Sequence, residues 1–123
     1  RDSIHGKFKG KIDIKNNSLI INGNKITYSQ ENDLRDISWK KNNVDIVLEC
    51  TGKFNSKEKL VSHIKNGAKK VIVSAPCKSA DKTIVYGVNH NNICDKDKII
   101  SAASCTTNCL APVVNVSIFR FPL

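Results

Sequence analysis

Residues 44–74 hold three segments of different character: Val44-Asp45-Ile46-Val47-Leu48-Glu49, then Lys57-Glu58-Lys59-Leu60-Val61-Ser62-His63-Ile64-Lys65, then Lys70-Val71-Ile72-Val73-Ser74. The first and last are nearly continuous apolar runs, the pattern of strands buried on both faces. Between them Ser56 is placed to cap a helix, Leu60, Val61 and Ile64 share one helical face, and Gly67 is placed to end it. Strand, crossover helix, strand in about 30 residues is a βαβ unit. On the N-terminal side, Lys11–Lys15, Leu19–Ile21 and Ile26–Tyr28 are short strands separated by Asn16-Asn17 and Asn22-Gly23-Asn24 turns, an antiparallel meander. Residues 30–43 are polar and turn-like around Trp39. On the C-terminal side, Thr83–Val88 and Lys98–Ser101 are further strands, and a helix starting at Cys105 meets Pro112, which should bend or interrupt it. The whole is α/β: half of a doubly wound parallel sheet with a short antiparallel meander before it. Ligands of such sheets bind at the carboxyl ends of the strands, here Cys50-Thr51-Gly52, Ser74-Ala75-Pro76 and Ser104-Cys105. No Gly-x-Gly-x-x-Gly turn occurs among the six glycines, so the phosphate cradle of a dinucleotide site is not among these residues.

Composition narrows the function classes. The 123 residues contain no methionine, so Arg1 is not expected to be a translation start: either something was removed ahead of it or the chain is an internal piece of a longer protein. Its longest apolar runs, such as Leu19-Ile20-Ile21, fall far short of the roughly 20 residues of a membrane span. The formal charge is +9, but the lysines are scattered, with no basic run and no basic–aromatic interleaving. That pattern describes a solvated surface, and a nucleic-acid partner is not expected. Five cysteines without a secretory signal argue for a reducing compartment rather than a disulfide framework. There is no Cys-x-x-Cys pair, so no metal site is expected. Four of the thiols, Cys109 included, are expected to be small hydrophobes in or near a core.

Cys105 is different. In Ser101-Ala102-Ala103-Ser104-Cys105-Thr106-Thr107-Asn108-Cys109-Leu110 an apolar strand runs into small residues, a thiol and a helix start. Free amides at a helix N-terminus favour anions such as a thiolate, and the same amides can stabilise an oxyanion formed when sulfur attacks a carbonyl. From the residues alone, a nucleophile and an inert half-buried thiol both remain open.

The segment Ser104-Cys105-Thr106-Thr107-Asn108-Cys109-Leu110-Ala111-Pro112 resembles the active-site segment of the glyceraldehyde-3-phosphate dehydrogenases. Further matches run in the family's order and spacing. Asp2-Ser3-Ile4-His5-Gly6-Lys7-Phe8 is similar to its Asp-Ser-x-His-Gly-x-Phe segment. Glu49-Cys50-Thr51-Gly52-Lys53-Phe54 is similar to its Glu-Ser/Ala-Thr-Gly-x-Phe strand end. Gly67–Pro76 and Gly87-Val88-Asn89-His90 fit as well. The resemblance implies a Rossmann-type domain with NAD as cofactor. It implies Cys105 as nucleophile toward the aldehyde of glyceraldehyde 3-phosphate, forming a thioester that inorganic phosphate cleaves to 1,3-bisphosphoglycerate. Ser104 and Thr106 would line the substrate and phosphate site, while Cys50, Thr51, Gly52 and Ser74 match positions that contact NAD. A cytoplasmic homotetramer of glycolysis is implied for the complete protein.

The expected organisation is residues 1–104 as a partial NAD-binding domain lacking its first βαβ, 105–116 as the start of a catalytic-domain helix, and 117–123 as an atypical tail. The family's catalytic histidine has no match. His5 belongs to a turn, His63 to the surface of the crossover helix and His90 to a loop, and all three are expected to be structural. Residues 115–123 do not resemble the family's continuing helix, and Ile118, Phe119, Phe121 and Leu123 have no evident core to enter. The rival readings are an erythrose-4-phosphate dehydrogenase, an inactive product that binds anions or RNA, and a redox pair of Cys105 with Cys109. By itself the 123-residue stretch is expected not to turn over.

Overall fold

The computed structural model describes residues 4–16 and 18–120, with the side chains of Phe119 and Arg120 also left aside. Asp2 and Ser3 of the first family motif, Asn17 of the first turn, and Phe121, Pro122 and Leu123 of the tail lie outside the described residues. The chain forms two compact units, Arg1–Asn32 and Asp33–Leu123.

The first unit is the expected meander: β1 (Ile12–Lys15), β2 (Ser18–Ile21) and β3 (Asn24–Thr27), paired antiparallel in the order β1-β2-β3. Asn22 and Gly23 both have positive φ, 50° and 85°, as a two-residue turn of this hand requires. The Asn22 side-chain oxygen also accepts the Lys11 amide at 2.9 Å, so the turn residue closes the far end of the neighbouring strand.

In the second unit β4 (Ile46–Glu49), α1 (Lys57–Lys65) and β5 (Lys70–Val73) form the βαβ unit, followed by β6 (Lys82–Thr83), β7 (Ile99–Ser101) and α2 (Cys105–Arg120). The four strands make one parallel sheet in the order β4-β5-β7-β6. Leu60 of α1 is wholly buried among Val47, Ala68, Val71, Val73, Cys77 and Ile99, and Trp39, Val44, Phe54, Val61 and Ile64 pack around this core. One-turn segments at Leu34–Asp36 and Lys40–Asn42 replace the irregular stretch around Trp39.

Four expectations need correction. The run at 44–49 is not buried on both faces: Val47 and Glu49 face the core, whereas Ile46 and Leu48 are 53% and 65% exposed. Among the described residues α1 supplies cover on one face of this edge strand. The strand expected over Thr83–Val88 stops at Thr83, because Asn89 takes over the backbone there. Its side chain accepts the Val85 amide at 2.8 Å and donates to the Thr83 carbonyl at 3.0 Å, which bends the chain out of the sheet. Of the two outcomes expected at Pro112, interruption does not occur, since α2 runs on through it over 16 residues. Among the five thiols only Cys77 is buried; Cys50, Cys94, Cys105 and Cys109 are exposed, since they lie at strand ends, in a loop and on the outer side of α2. Ile118 is 63% exposed, as expected of a side chain with no core to enter.

Two polar devices hold the βαβ unit closed. Gly67 ends α1 at φ +107°, where an added Cβ would lie 2.8 Å from the Lys40 amide nitrogen. The Lys40 amide in turn donates to the Asn66 carbonyl at 3.1 Å, so α1 and the Trp39 segment meet backbone to backbone. Asp81 pairs through one carboxylate oxygen with Lys57 at the start of α1 and accepts the Lys98 and Ile99 amides at 2.8 and 2.9 Å through the other. Lys57, foremost, and these amides hold its carboxyl at about 2, below its ordinary 3.8, against the opposing effect of burial.

Gly67→Ala should destabilise the unit by roughly 1–3 kcal/mol, from the left-handed backbone and the approach to Lys40, read from denaturant unfolding. A depressed folded pKa means that the Asp81 contribution is full above the ordinary 3.8 and is lost as pH falls through about 2. In Asp81→Asn the loss of stability over that acid window should therefore be shallower, and unchanged acid sensitivity would contradict this assignment.

Candidate functional site

The carboxyl ends of β4, β5 and β7 lie side by side because the strands are parallel neighbours, about 4.8 Å apart. Hydrogen bonds across these exits hold them in step. The Ser74 amide and hydroxyl both donate to the Glu49 carbonyl, at 3.0 and 3.2 Å, and the Ala102 amide donates to the Val73 carbonyl at 2.9 Å. The Ser101 hydroxyl, fully buried, donates to the Ala75 carbonyl at 2.8 Å and accepts the Cys77 and Ala103 amides. Cys50-Thr51-Gly52, Ser74 and Ser104-Cys105-Thr106 thus form one row across three strand exits.

Over β4, Cys50 is exposed and Gly52 sits at φ +73° with nothing within 4 Å of where a Cβ would be. Thr51 is held from below: its amide donates at 2.8 Å to Glu49 Oε1, which also receives its hydroxyl proton. Over β7 the chain passes through Ala103 at φ +61°, a conformation that costs about 1 kcal/mol in a residue other than glycine. This left-handed residue turns β7 directly into α2.

Ser104 then caps α2, its Oγ accepting the Thr107 amide at 3.0 Å and lying 2.7 Å from Thr107 Oγ1 and 3.0 Å from Thr106 Oγ1. The Asn108 side chain donates to the Ala102 and Ser104 carbonyls at 2.7 and 2.8 Å, clamping the first turn onto the strand exit. Cys105 occupies the first position of the helix and is exposed, beside amide groups that have no partner within the helix. A cavity of about 230 Å³, which Cys105 does not itself line, opens beside the cap residue and is lined by Pro76, Lys78, Thr83, Ser104 and Thr107.

A thiol at a helix start thus stands in line with an open glycine turn on the same sheet edge. The family model for the NAD binding domain of glyceraldehyde 3-phosphate dehydrogenase matches residues 1–57. The chain is 51% identical over 117 residues to the glyceraldehyde-3-phosphate dehydrogenase of Zymomonas mobilis, covering 94% of this chain and 35% of that protein. It is 53% identical over 116 residues to that of Mycoplasma pneumoniae, with 94% and 34% covered. Against glyceraldehyde-3-phosphate dehydrogenase 2 of Bacillus subtilis the identity is 49% over 116 residues, again with 94% and 34% covered. The chain belongs to the glyceraldehyde-3-phosphate dehydrogenase family. It spans about a third of the length of the curated relatives it matches.

Within this family member, His90 and His63 are each engaged by neighbouring groups. His90 Nδ1 accepts the Gly87 amide at 3.0 Å and its ring lies 4.6 Å from that of Tyr86. His63, expected on the helix surface, is instead 2% exposed, because it lies one turn beyond Leu60 on the core-facing side of α1. It bonds to Trp39 and Glu49. Neither Ser101 nor Ala103 stands out in the sequence as a site residue, whereas Asn108 is one of the cap and donor residues around Cys105. The one signal for Ser101 is its place among the small polar residues flanking the thiol. Nothing in the residue type foretold the positive φ of Ala103. No helix among the described residues is long and apolar enough to cross a membrane.

Removing the cap should loosen this arrangement at its start. Ser104→Ala is expected to cost about 1 kcal/mol of stability and to raise amide exchange at Thr107. Unchanged protection of that amide would contradict the capping role.

Proposed function

We propose that this chain carries the nucleophile and part of the cofactor face of a phosphorylating, NAD-dependent glyceraldehyde-3-phosphate dehydrogenase. The single observation that carries the proposal is Cys105, exposed at the head of α2 within a sequence close to half identical to enzymes of that name. Cys50, Thr51, Gly52 and Ser74 form the NAD side. The open space above Gly52 and its left-handed backbone fit the close approach of a flat ligand that a side chain would obstruct. NAD, when bound, supplies the hydride acceptor. Everything else in the reaction falls to side chains and backbone.

Cys105 Sγ attacks the aldehyde carbon of glyceraldehyde 3-phosphate, and the amides at the head of α2 receive the charge that develops on the carbonyl oxygen. Loss of hydride from the resulting thiohemiacetal leaves a thioester. Inorganic phosphate then attacks the thioester carbon, expels the Cys105 thiolate and yields the acyl phosphate 1,3-bisphosphoglycerate. Ser104 and Thr106, the chain neighbours of Cys105, carry hydroxyls 3.0 Å apart that are suited to substrate and phosphate oxygens. The general base is not His63 or His90, which are engaged elsewhere. On this reading the 123 residues do not turn over by themselves, and the complete enzyme is a cytoplasmic homotetramer, as its family resemblance implies.

In the full-length protein, Cys105→Ser should abolish both NADH formation and the mass increment of the acyl-enzyme trapped without phosphate. Retained turnover would overturn the assignment. Parallel kinetics with glyceraldehyde 3-phosphate and erythrose 4-phosphate would fix the aldehyde, the former being expected to give the higher kcat/KM.

A further inference from the structure

Beneath the cofactor-side turn lies a buried polar chain that the reaction does not use. Trp39 Nε1–H donates to His63 Nδ1 at 3.0 Å, and His63 Nε2 lies 3.2 Å from Glu49 Oε2. An indole nitrogen can only donate, so Nδ1 must accept and carries no proton. The remaining ring proton then sits on Nε2 and points at the carboxylate. Glu49 Oε1 receives the Thr51 amide and hydroxyl, and Thr51 Oγ1 accepts the Lys53 amide at 3.2 Å. The side chains of His63 and Glu49 are 2% and 3% exposed, so the contact between them forms away from water.

We propose that His63, locked by Trp39 into the Nε2–H tautomer, is a positioning residue for the cofactor: through the Glu49 carboxylate it fixes Thr51, and with it the left-handed turn at Gly52. The inference rests on the reading that this turn contacts NAD. It deepens that reading by assigning the turn's geometry to three residues that lie below it rather than facing the ligand.

The order of the chain makes the assignment directional. The carboxylate has two ends with different tasks, one anchored to α1 and one presenting Thr51. A neutral imidazole donating from Nε2 holds the anchored end in a single orientation, whereas the other tautomer would place a lone pair against an oxygen. Trp39 selects the tautomer, and it is itself placed by the contact of Lys40 with the end of α1. Burial makes the His63–Glu49 pairing consequential: a donor or acceptor left unmatched between these two side chains has no water to turn to.

The test is made in the full-length protein by measuring NAD affinity directly and KM for NAD against kcat. Glu49→Gln replaces one acceptor oxygen with a donor that must oppose either His63 or Thr51. It should raise Kd and KM for NAD about tenfold or more while kcat changes less. Trp39→Phe removes the N–H together with part of the ring while keeping an aromatic side chain against the core, so, with its fold checked by circular dichroism, it serves where Glu49→Gln fails to fold. The ring nitrogen shifts of His63 should report pure Nε2–H tautomer in the wild type and a mixture in Trp39→Phe, with NAD binding weakened in parallel. If wild-type protein binds NAD and Trp39→Phe binds it equally well, the positioning role is overturned and the cofactor reading stands. If folded wild-type protein binds no NAD, the cofactor reading itself falls, and this inference with it.

Discussion

The parallel pairing of β5 with β4 on one side and β7 on the other is the constraint from which the rest follows. Parallel strands all exit at the same end, so the chain must return to the opposite end before the next strand begins; no tight turn can do that, and each connection must cross the sheet. The crossover α1 covers one face with Leu60 and closes the core over Val71, Val73 and Ile99. The exits, left free of hairpins, become a continuous edge of loops. Everything placed on that edge, the Thr51-Gly52 turn, Ser74 and the head of α2, owes its proximity to strand pairing rather than to direct contact between the loops.

Holding those loops in place is work for buried polar groups. Glu49, Ser101 and Asp97 are each nearly inaccessible, and a buried polar group is tolerable only when it is bonded. Each is bonded, and each ties a loop to the sheet. Glu49 carries the turn over β4, Ser101 joins the exits of β5 and β7, and Asp97 accepts the Cys94 amide and thiol in the loop leading into β7. That last pairing, through the thiol foremost, holds the Asp97 carboxyl below its ordinary range. Beside it the Lys70 ammonium donates to the carbonyls of Cys94, Asp95 and Asp97, so a strand residue gathers the same loop from outside. Hydrophobic burial builds the sheet, and directional bonds shape its working edge.

The exposed aliphatic side chains of β4 show how far pattern reading extends. A run of alternating and adjacent apolar residues at 44–49 promises two buried faces, yet Ile46 and Leu48 stand open here. Periodicity reports which residues are suited to burial, and cover depends on what else packs there. His63 is the converse case. A titratable residue inside a lysine-rich helix reads as surface, and only the positions of Trp39 and Glu49, 24 and 14 residues away in the chain, make its burial tolerable. Likewise the strand expected at 83–88 had the right residues for a strand, but the side chain of Asn89 offered the backbone better partners.

The sequence by itself determined the βαβ unit, the antiparallel meander with its Asn-Gly turn, the strand exits as the place for chemistry, and Cys105 as the thiol to single out. These are local matters: periodicity, turn residues and a motif are each written within a dozen residues. Tertiary structure alone decided that His63 is buried, that Glu49 supports Thr51, that Asn89 ends β6 early, and that Ala103 takes a left-handed turn into α2. Each of those depends on partners brought together from distant parts of the chain or on a backbone angle imposed by its neighbours. Hydrogen-bond complementarity between such partners leaves no periodic trace in the order of residues, so it becomes legible only once the sheet has set their distances.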